Sequence, residues 1–212
     1  MKGSTYRILN EVLNAITHGV ALGLSIVGLV FLLIKGAHVS ALYIIAYTLY
    51  GSTLILLFLS STLFHSLIFT KAKKVFQAFD HSSIYLLIAG SYTPYCLLSI
   101  KGVLGVTLMI IIWLLAILGV IYKSITLHKK AHVSKISTLL YIGMGWFCLI
   151  ALQPLLNSLG AKGVILLLAG GVSYTLGTIF YTLKKVKFMH VIWHLFVILG
   201  ASFMFFSIFL TT

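Results

Sequence analysis

Acidic residues are almost absent from this sequence. Its 212 residues include only two, Glu11 and Asp80, and charged residues of both signs make up 8%. An ordinary soluble domain carries about 25% charged residues. Together with a hydrophobic content of 61% and a mean hydropathy of +1.16, this scarcity excludes a soluble globular domain. The composition is that of an integral membrane protein.

Cysteine and proline are also scarce, with two of each. Cys96 and Cys148 stand singly within apolar stretches, which excludes a disulfide framework and a zinc site built from paired cysteines. Pro94 and Pro154 fall near predicted helix ends, where the missing backbone donor is tolerated. Neither residue type therefore points to the chemistry of the protein.

Basic residues are the main charged component, and they give a net charge of +13. They lie in short clusters between apolar stretches and not along one polar face. Such clusters orient membrane helices and contact anionic lipid head groups. We therefore expect membrane lipids as partners and no nucleic acid.

Long apolar stretches fill most of the chain. A helix needs about 20 largely apolar residues to cross the hydrocarbon, and seven stretches have that length. The links between them are too short for a soluble domain, so we predict one all-α domain of seven transmembrane helices over residues 1–212. The predicted helices cover about residues 13–34, 40–66, 76–99, 103–122, 136–156, 161–183 and 190–210.

The charges between these stretches predict the orientation. Twelve basic residues fall on one side: Lys2, Arg7, Lys71, Lys73, Lys74, Lys123, Lys129, Lys130, Lys135, Lys184, Lys185 and Lys187. Only Lys35, Lys101 and Lys162 fall on the other side. Because positively charged loops stay in the cytoplasm, we predict a cytoplasmic N-terminus and, after seven crossings, an external C-terminus.

Ionisable and polar side chains inside apolar stretches are costly in a membrane, so they mark functional positions. Glu11, just before the first stretch, lies three and seven residues from Asn14 and His18 inside it, which places all three on one helix face. The second stretch ends with Ser61 and His65, which lie one turn apart. Ser61 is a candidate outer partner of the histidine, with a hydrogen bond inside its own helix as the alternative.

His190 and His194 are four residues apart at the start of the last stretch, so both imidazoles lie on one helix face. The predicted topology places this pair, His65 and Asp80 on the same side of the membrane. Three histidines with an open fourth position form the ligand set of a catalytic zinc site. The alternative is that these groups only hydrogen-bond neighbouring helices or extend towards lipid head groups.

Asp80 has two possible roles at such a site. Its carboxylate is either a fourth metal ligand or the group that holds a water at the metal, and the sequence leaves both open. His81 points in a different direction on an ideal helix and is a minor alternative ligand, while Ser83, one turn from Asp80, is a candidate lining residue.

Four motifs together resemble the hemolysin III branch of the progestin and adipoQ receptor superfamily. They are Glu11-x-x-Asn14-x-x-x-His18, Ser61-x-x-x-His65, the stretch from Asp80 to Pro94, and His190-x-x-x-His194. They extend from the first predicted helix to the last, so the resemblance covers nearly the whole chain.

The resemblance implies a seven-helix protein of the bacterial cell membrane with its N-terminus inside. It also implies Zn²⁺ held by the histidines at positions 65, 190 and 194, with the acid at position 80 near a metal-bound water. Adiponectin-receptor relatives are credited with ceramide hydrolysis. Bacterial members carry a hemolysin name and are linked to membrane lipid and energy homeostasis.

Three functional hypotheses follow. The first is a zinc-dependent membrane protein that hydrolyses a lipid amide or ester, taken from a cavity on the cytoplasmic side. The second is a cytolysin or channel. It is less favoured because a pore needs a polar path across the whole membrane, whereas the ionisable groups gather at one end. The third is a sensor or regulator in which the metal is structural.

Overall fold

The chain folds almost entirely into long helices, and the computed structural model describes residues 3–129, 135–183 and 186–212. The described residues form seven α-helices: α1 (Gly3–Ala37), α2 (Ala41–Ser66), α3 (Lys73–Pro94), α4 (Gly102–Lys129), α5 (Lys135–Trp146), α6 (Leu152–Thr182) and α7 (Met189–Thr211). A π-helical turn over Tyr95–Ile100 extends α3, and a 3₁₀ turn over Phe147–Ala151 joins α5 to α6.

Six helical stretches within the described residues are long and apolar enough to cross a membrane. This confirms the prediction of an all-helical, multi-pass membrane protein. One stretch, Ile136–Thr182, covers both α5 and α6 and has 47 residues, about twice what one crossing needs. Its helix is interrupted at Gly160, where φ is +66° and ψ is 178°.

Helix α1 differs most from its predicted bounds, because it begins at Gly3 and not near residue 13. Hydropathy detects only the part of a helix that is apolar enough to lie in hydrocarbon, so a polar extension such as this one is missed. Helix α4 likewise continues past its predicted end at residue 122 to Lys129, because its last turns are too polar for hydropathy to detect.

The assignment of Lys123 to a charged loop is wrong. This residue lies inside α4, and its side chain is 1% exposed. A single lysine within an apolar segment and a lysine at its end give the same hydropathy pattern. The sequence therefore does not distinguish a buried helical lysine from a loop lysine. Of the other residues in the charge count, Lys2, Lys130, Lys184 and Lys185 lie outside the described residues.

Contacts between helices fix their relative directions. Helices α1 to α4 pack antiparallel in sequence, as do α6 and α7. Helices α1 and α7, however, run parallel. Thr17 of α1 lies beside His194 of α7, and farther along both helices Lys35 donates a hydrogen bond to the Phe209 carbonyl. The first and last helices therefore close the bundle.

Helix α5 runs parallel to α3. Because α3 has the direction of α1 and α7, and α6 is antiparallel to α7, helix α5 is antiparallel to the second part of α6. Tyr141 donates to the His81 carbonyl, and one turn later the Met144 carbonyl accepts from Tyr92. On the other side of α5, the indole of Trp146 donates to Thr175. The chain therefore reverses direction between α5 and the part of α6 that follows Gly160.

Helix α3, with its π-helical extension, is the centre of the bundle. Of its most apolar 18-residue window 61% is buried, against 17–44% for the other candidate spans. Its central position places Asp80 and His81, near its start, among neighbouring helices rather than at the lipid surface.

Close contact between α2 and α3 depends on Gly90. A Cβ atom at this position would overlap the Thr53 hydroxyl oxygen and lie 2.9 Å from the Thr53 Cβ. We expect Gly90→Ala to lower the free energy of unfolding by about 1–3 kcal/mol, because overpacking forces the helices apart. Thermal unfolding in detergent measures this. Gly23→Ala is the matched control, since a Cβ atom there would meet no atom of another described helix within 4 Å. An equal loss in both variants would contradict the prediction.

Candidate metal centre

Three histidines converge where α2 ends and α7 begins. One ring nitrogen from each of His65, His190 and His194 can be chosen so that all three atoms lie within 4.8 Å of one another. His65 and His194 are 4% and 2% exposed, and His190 is partly exposed. The structure thus brings together the three residues that the sequence predicted as metal ligands.

The orientation of His65 is set by Glu11 of α1. Its Nδ1 lies 2.6 Å from Glu11 Oε2, which is a short hydrogen bond donated to a carboxylate. The Nε2 atom of the same ring is buried and has no hydrogen-bond partner among the described residues. Because Nδ1 carries the proton, the lone pair lies on Nε2, as in metal-binding histidines that donate their other ring proton to a carboxylate.

The orientation of His194 is also set by α1. Its Nδ1 lies 3.4 Å from the Thr17 hydroxyl oxygen, and that hydroxyl donates to backbone carbonyls one turn earlier in its own helix. The hydroxyl oxygen is therefore available as an acceptor for the imidazole proton. The His18 ring stacks on the His194 ring, with centroids 3.5 Å apart. Asn14 is fully buried one turn from His18.

His190 lies closest to the open side of the cluster. Its ring centroid is 5.2 Å from that of His65 and 4.7 Å from that of His194. It lines a cavity of about 300 Å³ that has both polar and apolar walls. The other lining residues are Tyr6, Asn10, Glu11, Asn14, Phe64, His65, Ile68, Gln77, His81, Phe180, Tyr181, Val186 and Met189.

This donor set fits a borderline divalent cation. Three imidazole nitrogens suit Zn²⁺ and other ions of similar softness, and the buried Nε2 of His65 has no hydrogen-bond partner in the part of the chain that the structure describes. A cavity on the His190 side leaves room for a further ligand. The arrangement is that of an open site, as in catalytic zinc proteins, more than of a closed structural one.

Asp80 lies near this cluster but does not belong to the group of three in the described residues. Its Oδ2 is 3.5 Å from Nδ1 of His81. His81, the minor alternative ligand, is buried and lines the cavity but is not one of the three clustered histidines. Ser83 donates a hydrogen bond to the Asp80 carbonyl within its own helix, and Ser61 is buried on the turn before the end of α2.

Two further residues contact the site without having been predicted. Thr17 faces His194, and the Tyr181 ring lies 6.0 Å from His190. Thr17 directly precedes His18, but the sequence did not place it on the helix face shared by Glu11, Asn14 and His18. Tyr181 gives no signal in the sequence, because aromatic residues at helix ends are common in membrane proteins.

Comparison with known proteins relates the whole chain to one group. The family profile described as "Haemolysin-III related" matches residues 6–205. "Hemolysin-3" of Bacillus cereus is 46% identical over 209 residues, covering 98% of this chain and 94% of the relative. "Hemolysin-3 homolog" of Bacillus subtilis is 46% identical, with 96% and 94% covered. "Monocyte to macrophage differentiation factor" of Homo sapiens is 32% identical, with 76% and 67% covered.

Proposed function

The chain belongs to the haemolysin-III related family. Within this family, we propose that it is a zinc-dependent membrane hydrolase that acts on a lipid amide or ester. The observation that carries the proposal is the convergence of three histidine nitrogens within 4.8 Å beside a cavity. Membership of the family alone does not assign an activity, since one fold supports several functions.

The zinc proposal assigns a separate role to each histidine and its partner. His65, His190 and His194 hold the ion, while Glu11 and Thr17 orient two of the rings from α1. Asn14 and His18 fill the space behind His194 and exclude water from that side. When bound, such an ion acidifies water and polarises a substrate carbonyl oxygen.

Asp80 is proposed as the proton acceptor in hydrolysis. Its carboxylate lies next to His81, which lines the same cavity as His190. In this role Asp80 Oδ2 takes a proton from the attacking water and passes it to the leaving group. Ser83 supports the start of α3 through its bond to the Asp80 carbonyl, and Ser61 fills the turn that carries His65.

The test has a metal step and a reaction step. Elemental analysis of the purified full chain is expected to give about one zinc per chain, as a single three-histidine site requires. Zinc-loaded protein in lipid nanodiscs is then supplied with lipid amides and esters, and released fatty acid is followed by mass spectrometry. Zinc-free protein would contradict the first step. Zinc-loaded protein with no turnover on any lipid would contradict the second.

We also propose seven crossings with the N-terminus in the cytoplasm. The parallel α1 and α7, the reversal between α5 and the later part of α6, and the break at Gly160 all support two crossings within Ile136–Thr182. A reporter enzyme that is active only in the cytoplasm is expected to work at the N-terminus and to be inactive at the C-terminus. Activity at both ends would contradict an odd number of crossings.

Cytolysis is a second candidate function, motivated by the names of the two Bacillus relatives. Dye release from liposomes tests it directly. Release that persists after His190 and His194 are changed to alanine would favour cytolysis over hydrolysis. Loss of stability on zinc removal, without activity in either assay, would favour a regulatory protein with structural zinc.

A further inference from the structure

The residue before α7 has an unusual backbone conformation. Phe188 has φ +64° and ψ 3°, in the left-handed region that bulky side chains rarely adopt. Its carbonyl accepts the hydrogen bond from the Ile192 amide that begins α7. This conformation therefore determines the direction in which α7 starts, two residues before His190. Such a conformation persists only where surrounding contacts hold it.

Tyr6 of α1 supplies those contacts. Its hydroxyl oxygen accepts a hydrogen bond from the Phe188 amide, at 3.1 Å. The Tyr6 and Phe188 rings pack edge to face with centroids 5.1 Å apart, and the Lys187 ammonium lies 5.5 Å from the centre of the Tyr6 ring. One side chain thus contacts two successive residues of the segment that leads into α7.

Tyr6 also belongs to a pattern along α1. It is 11 positions (17 − 6) before Thr17, about three helical turns, so both residues lie on the face of α1 that packs against α7. Glu11, between them, faces α2 and holds His65. Helix α1 therefore contacts two of the histidines directly and the segment leading to the third.

We infer that Tyr6 is a positioning residue for the metal ligand His190, an inference that rests on the proposed zinc site. The hydroxyl of Tyr6 holds Phe188 in its left-handed conformation, and this directs the first turn of α7 so that the His190 ring points at His65 and His194. Tyr6 lines the same cavity as His190.

Tyr6→Phe tests this inference, because it removes the hydroxyl and keeps the ring. In metal-free protein, hydrogen exchange at the Phe188 amide and the first turn of α7 is expected to become faster. The zinc dissociation constant, measured by competition with a chromophoric chelator, is expected to rise about 2- to 10-fold, the effect of one lost hydrogen bond. The visible spectrum of the Co²⁺-loaded protein is expected to change as well, because it reports the geometry of the ligands.

Tyr43→Phe is the matched control, since this tyrosine lies at the start of α2, at the other end of the helix from His65, and its ring contacts Tyr47. Unchanged exchange in Tyr6→Phe would overturn the inference. Faster exchange with unchanged zinc affinity and cobalt spectrum would overturn it too, because Tyr6 would then hold α7 without positioning His190. Wild-type protein that binds neither metal would overturn the zinc proposal and with it this role of Tyr6, while the exchange measurement still reports the Phe188 contact separately.

Discussion

Changing His190 and His194 together to alanine is expected to leave the purified protein without bound zinc. The two residues supply two of the three nitrogens in the cluster, and a single imidazole does not hold the ion through purification. Loss of one residue that hydrogen-bonds to a metal ligand typically lowers the metal affinity about 10- to 100-fold. Loss of two ligands should therefore lower the zinc affinity by more than about 100-fold. Elemental analysis after size-exclusion chromatography measures the result.

Two comparisons make this experiment decisive. His38→Ala is the control, because His38 is exposed near the opposite end of the bundle and should leave the zinc content unchanged. An elution volume equal to that of the wild type shows that the double variant is folded. Full zinc occupancy in a folded double variant would exclude this cluster as the site.

Replacing Glu11 with alanine is expected to lower zinc affinity about 10- to 100-fold, although Glu11 is not proposed as a ligand. Its carboxylate oxygen Oε2 lies 2.6 Å from His65 Nδ1 and accepts a hydrogen bond from it. This bond fixes the tautomer of the ring and the direction of Nε2. Without it, the ring is free to turn and its nitrogen becomes a weaker donor. Glu11→Gln keeps an acceptor oxygen of similar reach, so we expect a smaller loss. Competition with a chromophoric chelator measures the zinc affinities of the wild type, Glu11→Ala and Glu11→Gln.

Asp80→Asn provides the comparison, because Glu11 and Asp80 are the two acids of the chain. As a proton acceptor that does not bind the metal, Asp80 can be changed with little loss of zinc but with loss of lipid hydrolysis. A fall in zinc affinity larger for Asp80→Asn than for Glu11→Ala would instead identify Asp80 as a direct ligand. Unchanged affinity in Glu11→Ala would show that His65 keeps its orientation without the carboxylate.

The sequence predicted which three histidines lie close together because it indicates the depth of each residue in the membrane. Apolar stretches give the helix positions, and loop charges give their direction, so residues at equal depth can be paired across the chain. His65 and His194 were brought together in this way. The same patterns placed a helix boundary between residues 156 and 161, which includes the break at Gly160.

Rotation of each helix about its axis was beyond the sequence. Whether Glu11 turns towards His65 or Asn14 towards His194 depends on which helices flank α1, and only the folded bundle defines this. For the same reason the sequence left His81 as a minor alternative ligand, whereas its side chain is buried and lines the cavity. The left-handed conformation of Phe188 depends on a contact with a residue 182 positions away, which no local pattern encodes.

The parallel pairing of α1 with α7 has a consequence for biosynthesis. Helix α7 leaves the ribosome after the other six, so a nascent chain inserted up to α6 has Glu11 and His65 in place but lacks two of the three histidines. We expect metal capture to follow insertion of the whole chain, as the event that joins the first helix to the last. Quality control that senses the bound ion would thereby sense whether the bundle is complete.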